Sequence, residues 1–170
     1  MLDFYWRGRG MDIHELYLKK FTSSETGFDY VMWAISEVEK GLNNISSFEL
    51  SSLGREANYF EALELFNVLL IQGFVSIPSQ KECHLYNGMK ICKSILLNKE
   101  NLFKKAYELF DVCIELEYDS DLMDWYWISE DIDALKYDMN TSKLDYETIE
   151  ADIIEKANKF LESYKSIYPN

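Results

Sequence analysis

Residues 142–168, SKLDYETIEADIIEKANKFLESYKSIY, decide the fold, because apolar side chains return every three or four positions at Tyr146, Ile149, Ile153, Ala157, Phe160, Leu161 and Tyr164. That recurrence draws one apolar stripe along an α-helix, whereas a half-buried strand would alternate. Asp145 stands just ahead of the stripe, where its carboxylate can accept from backbone N–H groups that the first helical turn leaves unpaired. A long C-terminal helix is expected.

Towards the N-terminus the same period recurs. Leu102, Phe103, Ala106, Tyr107, Phe110, Cys113 and Leu116 form one stripe, and Leu85, Met89, Cys92, Ile95 and Leu96 another, with Asn98 between them. Asn58 and Glu61 make a capping pair ahead of Tyr59, Phe60, Leu63, Phe66, Leu69 and Leu70. Ser46 and Ser47 predict the cap of a short helix carrying Phe48, Leu50 and Leu53. Val31, Ala34, Ile35, Val38 and Leu42 line a further helix that Gly41 ends, after a turn at 22–27. Asp12 and Glu15 cap the first helix, which carries Ile13, Leu16 and Tyr17 to about Phe21. Only residues 74–78, ending in Pro78, have extended character, as a connector or one minor strand. With two prolines and seven glycines the chain has too little punctuation for a sheet of many hairpins. The expected class is all-α, a bundle of about six to eight helices.

A chain of 170 residues suits one domain, 1–170, with 1–11 as an arm. Ala62, Glu64, Leu65, Phe66 and Val68 return 44 residues later as Ala106, Glu108, Leu109, Phe110 and Val112. That offset would hold two helices and their turns, so stacked helical hairpins are the alternative arrangement.

Lysine and arginine total 17 against 30 aspartates and glutamates, a formal net charge of −13. Such a surface repels phosphate backbones and anionic membranes, so neither nucleic acid nor membrane is expected as a partner. No apolar run is long enough to span a bilayer, and residues 1–11 lack the apolar centre of a secretory signal. Cys83, Cys92 and Cys113 are an odd set without a CxxC pair, which suits a reducing cytoplasm.

Catalytic equipment is missing from the sequence. His14 and His84 are the only histidines, no serine sits in a GxSxG elbow, and neither a GxxxxGK loop nor a GxGxxG after a strand is present. No catalytic residue, cofactor or metal is therefore expected. Cys83, His84 and Cys92 lack zinc-site spacing, and Glu61 and Glu64 share a helix face without an ExxH partner.

The densest signal lies between Lys105 and Lys136, where thirty residues hold ten carboxylates and no lysine, arginine or histidine. The candidate partner-binding residues are Glu117, Tyr118, Asp119, Asp121, Asp124, Trp125, Tyr126, Trp127, Glu130, Asp131 and Asp133. Acids give attraction to a basic protein, and rings give contact area at little side-chain entropy. Asp119, Asp121 and Glu130 fall at positions one, three and twelve of an EF-hand loop, but Met123 replaces a ligand and Asp124 the turn glycine. A competing reading places Trp125 and Trp127 in the core, with the acids solvating helix ends.

In general profile the chain resembles the small, acidic, helical bacterial immunity proteins of toxin systems; composition and expected architecture carry the resemblance, and no motif does. It implies a cytoplasmic, non-enzymatic inhibitor that neutralises a cationic toxin domain by protein–protein contact. The alternatives are a helical-repeat adaptor binding a peptide or protein segment, and a carboxylate metal-binding helical protein. Twelve tyrosines and four tryptophans exceed what a small core must hold, which leaves rings for the surface and is compatible with a dimer.

Overall fold

The computed structural model describes residues 10–137 and 144–165. Among them the chain forms eight α-helices and no strand, as the stripes predict, and residues 74–79 are an irregular connector. The predicted arm, apart from Gly10 and Met11, lies outside the described residues, as do positions 142–143 and 166–168 of the C-terminal pattern. No described helix is long and apolar enough to cross a membrane.

Two compact units divide the chain, residues 1–83 and 84–170. Length predicts one core; the buried residues fall into two clusters, one in each unit.

In the first unit α1 (Ile13–Phe21) packs on α2 (Gly27–Glu39), while α2, α3 (Ile45–Ser52) and α4 (Tyr59–Ile71) pack on one another. Phe66 is the hub, with the rings of Trp33 and Tyr30 edge-on at 4.9 and 5.1 Å. Gly27 opens α2 where a Cβ would lie 2.4 Å from the Ala57 carbonyl oxygen, so only glycine permits this approach. Asp12 and Asn58 cap α1 and α4 as expected, each accepting from a backbone N–H of the first turn. The cap of α3 is Asn44 rather than Ser46 or Ser47: its Oδ1 accepts from Ser46 N, and the buried Ser47 hydroxyl donates back to the Asn44 carbonyl. Thr26 and Asp29 form a reciprocal capping box on α2.

Helix α5 (Gln80–Leu97) starts at the end of the first unit and runs into the second. There α6 (Leu102–Glu115), α7 (Met123–Lys136) and α8 (Tyr146–Tyr164) pack on one another, a 3-10 turn at Ser120–Leu122 leading into α7. Ile149, Ile153, Ala157, Phe160 and Tyr164 of α8 are buried as the stripe requires, Asp145 caps the helix through Thr148 N at 2.8 Å, but Tyr146 is exposed at its first turn. Gly88 of α5 packs against Phe160 and Leu109. Of the five pairs in the 44-residue echo only Ala62 and Ala106 agree in burial, both fully buried; Phe66 is central to its core where Phe110 sits half-buried at the rim of its own, and Leu65 and Val68 are half-buried where Leu109 and Val112 are buried.

Candidate functional site

Helix α7 sorts the acidic stretch by period. Trp125, Ile128, Ser129 and Ile132 point inward. Side chains seven apart share a flank, and their contacts bear this out. Tyr126 and Asp133 look towards α6: the Tyr126 ring meets Phe110 at 5.9 Å, and the Tyr107 hydroxyl donates to Asp133 Oδ1 at 2.6 Å. Burial and the Asp133 carboxylate push the Tyr107 phenol well above its ordinary range, so it stays a donor. Asp124 and Asp131 look towards α8. Lys156 and Lys159 donate to the two oxygens of Asp124 at 3.3 Å each. Asp131 lines a cleft with Asp152, whose carboxyl is pushed up by burial, opposed by Lys156 and reinforced by Glu155, Asp124 and Asp131. Trp127 and Glu130 are left facing outward.

The predicted residues therefore separate. Trp125 is core, 1% exposed, while Trp127 is 59% exposed. Asp124 and Asp133 are engaged as described, Asp121 accepts from the Tyr164 hydroxyl at 3.0 Å, and Asp119 accepts from Asp121 N at the start of the 3-10 turn. Each of these acids thus has a partner within its own unit. A cleft of about 340 Å3 between the 3-10 turn, α7 and α8 is lined by Asp121, Asp124, Trp127, Lys156, Lys159 and Tyr164, so both signs of charge meet there.

What the structure brings together on the outer side is Tyr118, Tyr126 and Trp127, with Glu117 and Glu130 exposed nearby in sequence. Tyr126 meets Tyr118 at 6.0 Å and 76° between planes, and Trp127 at 4.8 Å and 78°. Glu117 and Tyr118 are both left-handed, at φ 53° and 59°, and their N–H groups donate to the carbonyls of Ile114 and Cys113 at 2.9 Å. This turn ends α6 and swings Tyr118 out to 51% exposure.

Phe110 and Tyr107 extend the surface from α6, and sequence reasoning placed them only in a helical stripe. Lys156 and Lys159, three apart on the polar side of α8, neutralise part of the acidic stretch; that spacing was the available signal.

Cys83, Cys92 and Cys113 are buried, and burial pushes the Cys83 thiol up to about 11 and Cys92 to about 12, which favours the neutral thiol at both. Among the described residues no three His, Cys, Asp or Glu side chains are placed to hold a metal ion. Asp119, Asp121 and Glu130, the acids at EF-hand spacing, are spent on a cap, on Tyr164 and on the outer side of α7.

The candidate site is thus an aromatic helical surface, with exposed acids close by in sequence, on an all-α protein. Compared with known protein families, curated proteins and solved structures, the chain matches none.

Proposed function

We propose that the chain is a non-enzymatic acidic binding protein whose outer α6–α7 surface takes a basic protein partner, in the form of an immunity-type inhibitor that neutralises a cationic toxin. One observation carries this: Trp127 and Tyr118 stand in water in the stretch that lacks any base. Exposed large rings await cover, and a partner that buries them gains contact area while opposite charge speeds encounter. Three buried thiols, none in a disulfide, suit a reducing compartment such as the cytoplasm.

The test is coexpression and copurification with the basic product of an adjacent reading frame. Trp127→Ala and the double reversal Glu117→Lys/Glu130→Lys should each weaken the complex at least about tenfold, more so at low salt. Reversal at Asp121 or Asp124 is a poor probe, since it would break contacts with Tyr164, Lys156 and Lys159. A complex whose affinity ignores both outer variants would overturn the proposal.

A second reading, a helical-repeat adaptor, is favoured by the even spacing of helix starts: Tyr59, Leu102 and Tyr146 for α4, α6 and α8, and Gln80 and Met123 for α5 and α7. It expects binding of an extended peptide with an affinity that Trp127→Ala leaves unchanged.

A further inference from the structure

We infer that Tyr118, Tyr126 and Trp127 form a recognition site for an arginine side chain of the basic partner, with Glu117 and Glu130 supplying counter-charge. This rests on the proposed function and adds the chemistry of the group that is recognised.

Three independent features converge. The first is ring geometry: Tyr126 stands at 76° to Tyr118 and 78° to Trp127, so π-faces point in more than one direction within a short span. A cation is attracted to the face of an aromatic ring, and tryptophan is the strongest such acceptor. The second is charge complementarity. Residues 106–135 contain no base, the two lysines that share a cleft with Trp127, Lys156 and Lys159, are each paired with Asp124, and among the described residues the cation–ring contacts lie elsewhere, Lys20 over Tyr17, Tyr30 and Phe66, and Lys136 over Tyr137. The third is backbone strain. Two successive residues with a Cβ are held left-handed, a conformation that glycine would adopt without cost. Strain of this kind persists where the surrounding structure enforces it, and it concentrates at ligand sites. Here its effect is to display Tyr118 and Glu117 together.

Arginine fits this site better than lysine. The planar guanidinium stacks on a ring while its edge donates in a fork to a carboxylate, and it is less strongly hydrated than an ammonium.

The experiment titrates the full chain with two probes of equal length and charge, an alternating Gly/Arg decapeptide and its Gly/Lys twin, following the Trp127 indole N–H by NMR. The arginine peptide should shift that resonance and bind about fivefold tighter than the lysine twin. Trp127→Ala, read on backbone amides, should abolish the preference. Glu117→Gly relaxes one left-handed residue and removes one counter-charge, so it should raise the melting temperature by about 2 °C while reducing the preference. A variant that melts higher and binds worse separates damage to the site from damage to the fold. Equal binding of the two peptides, or a preference that survives Trp127→Ala or Glu117→Gly, overturns the arginine site but leaves a basic-partner surface standing. Binding of neither peptide overturns both.

Discussion

Two glycines in tight surroundings should respond to the same added methyl group with opposite signs. Gly88 lies buried inside α5, where a Cβ would sit 3.4 Å from Phe160 Cε1 and Cζ and 3.7 Å from Leu109 Cδ2, ordinary van der Waals separations. Alanine there removes the backbone-entropy penalty of a mid-helix glycine, about 0.8–1 kcal/mol, and adds packing against Phe160. The expected gain for Gly88→Ala is about 1 kcal/mol. Gly27 is the contrary case. Its added Cβ would lie 2.4 Å from the Ala57 carbonyl oxygen and 3.1 Å from two backbone carbonyl carbons, and backbone cannot rotate away as a side chain can. The start of α2 would have to separate from the segment leading into α4, at a cost of about 1–3 kcal/mol. Urea unfolding followed by far-UV circular dichroism measures both, with an unchanged slope confirming that the midpoint shift reports stability. A midpoint for Gly88→Ala below that of the wild type, or a Gly27→Ala midpoint equal to it, would refute the packing argument.

The tryptophan pair should divide in the same assay: Trp125→Ala empties a fully buried site and should cost about 3–5 kcal/mol, while Trp127→Ala should stay within about 0.5 kcal/mol. Equal losses would mean that Trp127 is not a surface residue. Burial lowers the pKa of His84, with Glu115 opposing. The unfolded chain takes up its proton near 6.5, before the folded chain does, so this contribution to stability is intact above that pH and is lost as pH falls towards the folded value. Between pH 7.5 and 5.5 the urea midpoint of the wild type should therefore drop relative to that of His84→Phe; parallel curves would contradict a buried neutral histidine.

How far the fold is legible depends on how cleanly each helix separates its faces. In α8 and α6 the apolar positions are interrupted by charged ones, so the stripe is unambiguous. In α7 the run Trp125, Tyr126, Trp127 places one ring inward, one on a flank and one in water, and hydrophobicity alone cannot assign their sides. Its inner face also includes Ser129, whose hydroxyl is satisfied by the Tyr126 carbonyl at 2.7 Å, a local bond that no apolar pattern announces. Capping shows the same limit. Asn44, Ser46 and Ser47 are all chemically able to cap α3, and the geometry of chain entry selects Asn44. The division into two cores left no mark, because it falls between Cys83 and His84 inside α5. The helix runs through the boundary without a proline, and its one glycine, Gly88, lies buried against Phe160 and Leu109, so nothing there reads as a linker.

The acidity itself is reinterpreted by α7. Residues 84–170 carry 18 of the 30 acids and 10 of the 17 bases, so this unit has the larger excess. The density of carboxylates from Glu108 to Asp133 still overstates the charge available to a partner. Heptad spacing turns Asp124 towards Lys156 and Lys159 of α8 and Asp133 towards Tyr107 of α6, and it leaves Glu130 outside. The same aspartate-to-lysine or glutamate-to-lysine change thus has two distinct consequences six residues apart. At Asp124 it sets three cations together across the α7–α8 contact and attacks the fold. At Glu130 it should leave the melting temperature unchanged and alter only the field that the proposed basic partner would meet on approach, lowering the association rate. Position on the helix, more than the count of charges, determines which acids can serve recognition.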